Sequence, residues 1–352
     1  MESGGRVALL TFFAVLAALI PVAFGFLIAR FAARRTRDDD RHRSRRLAAA
    51  MRAHLKGALS AQVLQRLVKR ADEATFWDAL ETHLVRLNAK SRRRLGATLV
   101  RSHHLAVERR VLLADSPRRR ELAARRLGML PTSASRRALR GAMGASRGIV
   151  AHTSARMLAG MGDLTTLEWL LENPGHLRGR TGREWADLFQ AFGPRALPRL
   201  HLALELGVPD PAILRGVIEA VGHGGHTISA PPLERLLRHT EQNVRVAAAR
   251  ALGRLGEGSS APALLRALDD EAWPVRAQAA WALGRLGRDT AADALANRLV
   301  DRAWWVRRHA AYALSRLGER GTNALTTAIA SSDDRYAREI AEEALASLRR
   351  SA

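Results

Sequence analysis

The sequence contains no cysteine. That excludes disulfides, thiolate metal sites and cysteine nucleophiles together. Aromatic residues make up only 5 % of the chain, and runs in which Val, Ile or Thr alternate with polar residues are nearly absent. With Ala and Leu dominant, the reading is an all-α protein. Lysine is scarce as well: Lys56, Lys69 and Lys90 are three of 57 cationic residues, and the rest are arginine. Together with the Ala excess this suits a GC-rich bacterial coding bias, which explains the choice of Arg without removing its charge. Walker A, G-x-G-x-x-G and H-E-x-x-H do not occur, and no catalytic residue and no cofactor is assigned.

What is present begins with an apolar run. The 23 residues Val7 to Ala29 carry no charge, about the length a helix needs to cross a hydrocarbon core of roughly 30 Å. Only Arg6 precedes the run, whereas Arg30, Arg34, Arg35, Arg37, Arg41, Arg43, Arg45 and Arg46 follow it. This asymmetry favours an uncleaved anchor over a signal peptide. It places the N-terminus outside and the rest of the chain in the cytoplasm, at the inner membrane of a bacterium. The same arginines are candidates for contact with anionic lipid headgroups, although Asp38, Asp39 and Asp40 interrupt them. The domain reading is residues 1–29 as N-terminal segment and span, 30–46 as a basic linker, 47–113 as a helical lead-in, and 114–352 as a repeat array.

The net charge of +23 is unevenly placed. Residues 30–140 hold 29 Lys and Arg against 10 Asp and Glu, and residues 141–352 hold 27 against 23. A metal site would need several converging His or carboxylate ligands. His103 and His104 are adjacent and point to different faces, and His223 and His226 lie in a Gly-rich turn without a nearby carboxylate, so no metal is assigned.

The array is carried by three segments, NVRVAAARALGRLGE from Asn243, PVRAQAAWALGRLGR from Pro274 and WVRRHAAYALSRLGE from Trp305, whose valines Val244, Val275 and Val306 are 31 residues apart. YAREIAEEALASLRR from Tyr336 continues the register, and shorter amphipathic stretches such as APALLRAL from Ala261 lie between. Each period is a helical hairpin. Tracing the Leu column backward yields about eight units, the last four strongest. The pattern V-R-x-x-A-A-x-A-L-G-x-L-G resembles HEAT repeats, specifically the short bacterial type first noted in phycobilin lyases. The resemblance implies an α-solenoid in which the longer helix of each hairpin lines a concave face. Some HEAT-like proteins are enzymes, bilin lyases or a di-iron hydroxylase that uses His-Glu pairs, but this chain has no HE dipeptide. The Arg column, Arg245, Arg276, Arg307 and Arg338, reads as ladders with acids such as Asp270 and Asp301.

With each valine at position zero, the apolar stripe occupies positions 0, +4, +7, +8 and +11. A neighbouring stripe at −1, +3 and +6 is where recognition can be specified, since the repeat does not dictate it. There Gln278 and Trp281 in one unit, then Trp305, His309 and Tyr312 in the next, form a candidate partner-binding set with Trp273 and Trp304 at −2. Large rings with a polar tip suit binding anchors; equally, indoles can fill gaps between hairpins. The leading functional reading is a non-catalytic, membrane-anchored scaffold that holds a protein partner, such as an envelope-biogenesis or signalling enzyme. A nucleic-acid-binding protein and a bilin lyase or isomerase-like enzyme are the alternatives. The array's small charge excess disfavours nucleic acid.

Overall fold

Segments rich in Ala, Leu and Arg have local reason to form helices. The computed structural model describes residues 39–84, 87–114, 116–177 and 179–351, and no strand occurs among them. The chain divides into two units, Met1–Ala138 and Leu139–Ala352. The apolar run from Val7 to Ala29, with Arg30, Arg34, Arg35 and Arg37, lies outside the described residues. Among those described, no helix is long and apolar enough to cross a membrane.

In the first unit, helix α1 covers residues 39–55. Residues 39–46 of the basic stretch are thus helical. Asp40 pairs with Arg43 one turn on. Leu47, Ala48 and Met51 are buried, and this burial organises the basic stretch. Arg41, Arg43, Arg45 and Arg46 all remain exposed. Helices α2 (Ala61–Arg70), α3 (Glu73–Leu84), α4 (Ala89–Leu99), α5 (His103–Ala114) and α6 (Pro117–Met129) follow, then α7 (Ser133–Ala145), inside which the division falls. Side-chain caps start several of them: Ser60 accepts from the Val63 amide at 3.3 Å, Asp72 from Thr75 at 2.8 Å, Asn88 from Ser91 at 2.9 Å and Thr132 from Ser135 at 2.9 Å, the usual answer to unpaired first-turn donors. An arginine with two glutamates reaches the core of this unit. Arg126 donates to Glu108 at 2.6 Å and to Glu73 at 2.7 Å and lies 4.9 Å over the Trp77 ring. Burial pushes the Glu108 carboxyl up despite Arg126.

The second unit is built of hairpins. After α8 (Ile149–Gly160) and α9 (Leu164–Glu172) come five long helices: α10 (Gly182–Ala191), α12 (Pro211–Gly224), α14 (Gln242–Leu255), α16 (Trp273–Leu286) and α18 (Trp304–Leu314). Between them stand α11 (Leu197–Leu206), α13 (Ala230–Leu236), α15 (Ala261–Ala267) and α17 (Ala292–Ala296), and the unit ends with α19 (Gly318–Ser331) and α20 (Arg335–Ser351). Consecutive long helices pack on one another in a single layer, and α12, α14, α16 and α18 each pack on the shorter helix that precedes them. The expected core columns are sealed: Val244, Val275, Val306, Leu252, Leu283 and Leu314 have no exposure.

The repeat's glycines divide into two roles. Gly256 and Gly287 end α14 and α16 at φ +67°, the left-handed turn that glycine adopts without a Cβ penalty. Gly222, Gly253 and Gly284 instead sit where one long helix touches the next. A Cβ at these positions would fall 2.9, 2.8 and 2.6 Å from the Cα of Ala251, Ala282 and Ala313. Glycine against alanine, 29 residues on, is how the stack achieves its close contact.

The arginine column ties turns together. On α16, Arg276 is only 5 % exposed. Its Nε and Nη2 donate to the two oxygens of Asp301, both at 2.8 Å, while Nη1 donates to the carbonyls of Asp270 and Glu271 at 2.9 and 3.0 Å. Asp301 also accepts from the Ala303 amide at 2.8 Å, at the start of α18. Arg245 repeats the arrangement with Asp270 at 2.8 and 2.9 Å and the carbonyls of His239 and Thr240. Arg307 reaches Asp334 at 3.1 Å. Arg338, in the last hairpin, donates to the Ser332 carbonyl at 2.6 Å. Arg245, Arg276 and Arg307 therefore each satisfy the turn that precedes their own helix and the carboxylate of the following turn. The bidentate geometry is one that Lys cannot reproduce.

Candidate functional site

Residues at −2 and −1 occupy the first turn of a long helix. In a helix the Cα–Cβ bond tilts toward the N-terminus, so first-turn side chains project past the helix end rather than into the next hairpin. Trp273, Trp304 and Trp305 do so, at 45, 47 and 50 % exposure. Trp304 and Trp305 meet edge to face, centroids 4.7 Å apart at 78°, an arrangement aromatic quadrupoles favour. Arg308, one turn further on, lies 5.3 Å over the Trp304 ring and 5.1 Å over Tyr312. The next long helix adds Tyr336, 64 % exposed, with Arg307 at 5.6 Å from its ring. Tyr336 occupies the same −1 position as Trp305 and was not among the residues the sequence singled out. Carrying that column one unit further finds it.

The remaining sequence candidates are half-buried and have partners. Gln278 accepts from Arg250 Nε at 3.2 Å. Tyr312 donates to Glu343 at 2.8 Å, and that hydrogen bond, with burial, raises its pKa. His309 lies 6.4 Å from the Trp305 ring; burial first, and then the charge of Arg308, lowers its pKa. Trp281 lies against the preceding long helix: its Cζ3 would be 2.7 Å from a Cβ at Gly253. Arg285 covers its ring at 5.5 Å and donates to the Gly253 carbonyl at 3.1 Å. Of the seven candidates, then, Trp273, Trp304 and Trp305 form an exposed ridge, and Trp281 fills a gap between hairpins. Trp281→Ala is accordingly expected to lower the unfolding free energy by about 2 kcal/mol, measured by urea denaturation followed by circular dichroism.

Residues 197–274 and 261–346 match the family model of HEAT repeats. The hairpins within residues 197–346 are HEAT-like. Solved structures that resemble the chain include an engineered protein, 18 % identical, covering 87 % of this chain and 94 % of its own, with a TM-score of 0.42. Human deoxyhypusine hydroxylase in complex with glycerol is 19 % identical, with coverages of 72 and 99 % and a TM-score of 0.31. The complex of CpcE and CpcF of phycocyanin lyase from Nostoc sp. PCC7120 is 23 % identical, with coverages of 69 and 94 % and a TM-score of 0.32. No curated protein matches.

Elsewhere on the HEAT units, His223 Nδ1 lies 2.7 Å from the Glu219 carbonyl on its own helix. Among the described residues no three His, Asp or Glu side chains are grouped to hold a metal ion.

Proposed function

We propose that the protein is a membrane-tethered, non-catalytic scaffold whose HEAT units hold a protein partner through the tryptophan ridge at the starts of α16 and α18. The observation that carries this reading is the exposure of Trp273, Trp304 and Trp305 on helices whose folding needs are met by other residues. Their core columns are sealed, their interhelical contacts are glycine on alanine, and their turns are fixed by Arg276 and Arg307. Indole rings left in water bring large contact area with little rotamer entropy to lose, the property of binding anchors. Stacked hairpins supply the extended surface such a partner needs. Tethering rests on the sequence: the uncharged run Val7 to Ala29 and the arginines that follow favour an anchor with the HEAT units at the cytoplasmic face of a bacterial inner membrane. A partner of that compartment, an envelope-biogenesis or signalling enzyme, fits the placement.

The test is site-specific photo-crosslinking in intact membranes from benzoylphenylalanine placed at Trp273, with Trp304→Ala and Trp305→Ala introduced together as the challenge. One discrete adduct is expected. Two anchors removed at roughly 2 kcal/mol each weaken the complex about a thousandfold, so the adduct disappears while the circular dichroism spectrum is unchanged. A diffuse ladder of adducts, or an adduct indifferent to the double substitution, contradicts the reading.

A further inference from the structure

Next to the ridge, on the same layer of long helices, a groove of about 530 Å³ runs over α10, α12 and α14. Four arginines line it, Arg183, Arg215, Arg250 and Arg254, against two carboxylates, Asp187 and Glu219. Arg250, at 3.3 Å, and Arg254 share Glu219. Arg183 and Arg215 meet no carboxylate at ion-pair distance among the described residues. Arg215 is nevertheless positioned. Its stem lies on α10 at Gly182, where a Cβ would sit 2.9 Å from Arg215 Cβ and 3.0 Å from its Nε. A guanidinium laid along a neighbouring helix, its fork facing a groove rather than a partner acid, is a ready bidentate donor to a carboxylate.

We propose that this groove binds an acidic peptide segment, with one carboxylate held by Arg183 and Arg215 and a second by the free donors of Arg254 and Arg250. Three helix axes about 9 Å apart span about 18 Å, the length of about six residues of extended chain. The excess of two positive charges suits two or three glutamates or aspartates. Nucleic acid is disfavoured because Glu219 and Asp187 would face its phosphates and few cations are left to neutralise them. The proposal goes beyond the tryptophan ridge, shares no residue with it, and stands if the ridge reading fails.

The experiment uses the full chain in detergent micelles at 150 mM salt, fluorescein-labelled octaglutamate and octaglutamine, and a photo-crosslinkable form of the octaglutamate mapped by mass spectrometry. Octaglutamate is expected to bind and crosslink within residues 182–254, and octaglutamine is not. Arg183→Gln with Arg215→Gln weakens the anisotropy titration roughly tenfold. Glu219→Gln, which releases Arg250 and Arg254, tightens it severalfold. Should the double variant lose helicity, Arg183→Gln alone carries the test, because that side chain is exposed. Crosslinks confined to the basic residues 39–138, equal binding of octaglutamine, or titrations unmoved by the arginine substitutions would overturn the proposal. So would a DNA duplex that crosslinks to the same helices and displaces octaglutamate.

Discussion

Gly284→Val is expected to lower the unfolding free energy by about 3 kcal/mol or more, seen in thermal denaturation as a fall of roughly 6–12 °C for a unit of this size. The reason is local and stereochemical. A Cβ at Gly284 falls 2.6 Å from Ala313 Cα and 2.7 Å from Ala313 Cβ, so α16 and α18 must separate before a branched side chain fits. In a stack whose stability is a sum over neighbouring interfaces, parting one pair of helices weakens everything beyond it. Gly284→Ala gains about 1 kcal/mol of helix propensity yet still overlaps Ala313, and is expected to be destabilising on balance. Gly141→Ala is the internal control. It lies within α7 and a Cβ there meets nothing within 4 Å, so only the propensity gain operates and stability rises by up to about 1 kcal/mol.

Arg276→Leu is expected to remove about 3–5 kcal/mol, the usual consequence of breaking a buried pair from one side. Asp301, with its side chain 6 % exposed, is left charged and without its guanidinium, and the carbonyls of Asp270 and Glu271 lose a donor. Arg276→Leu combined with Asp301→Leu is expected to be less destabilised than the sum of the two single variants, since no buried charge remains. The pH dependence has a definite sign. Burial raises the Asp301 pKa, but the Arg276 hydrogen bonds and charge and the Ala303 amide outweigh it and hold the carboxyl below its usual range. A depressed carboxylate contributes its stability above its unfolded pKa, near 4, and loses it as pH falls through the lower folded value. Acidification below pH 4 therefore destabilises the parent chain more than the Arg276→Leu variant, and the two denaturation midpoints converge.

Much of this architecture is legible in the sequence because repetition converts spacing into contact. Val244, Val275 and Val306 at a spacing of 31 locate the hairpins, and the pairs Arg245–Asp270 and Arg276–Asp301, each 25 apart, locate the ladder. What spacing cannot express is the distance from a side chain to the neighbouring hairpin. Trp281 and Trp305 belong to one stripe, yet Trp281 rests on Gly253 while Trp305, in a first turn, is 50 % exposed. Residues 39–46 read as a solvated linker, since their many charges conceal the burial of Leu47 and Met51 that makes them helical. The arginine groove was hidden for a different reason. Between α10 and α12 the repeat slips by one residue, so Arg183 and Arg215 are 32 apart and fall out of the register that aligns the later units.

The central claim is that the tryptophan ridge belongs to a partner and not to the fold. Its most direct test is the urea denaturation midpoint of the Trp304→Ala, Trp305→Ala double variant beside that of Trp281→Ala. The double variant is expected to stay within about 0.5 kcal/mol of the parent chain, as surface substitutions do, while Trp281→Ala is clearly less stable. A loss of several kcal/mol in the double variant would show that the ridge is core, and the account would be contradicted.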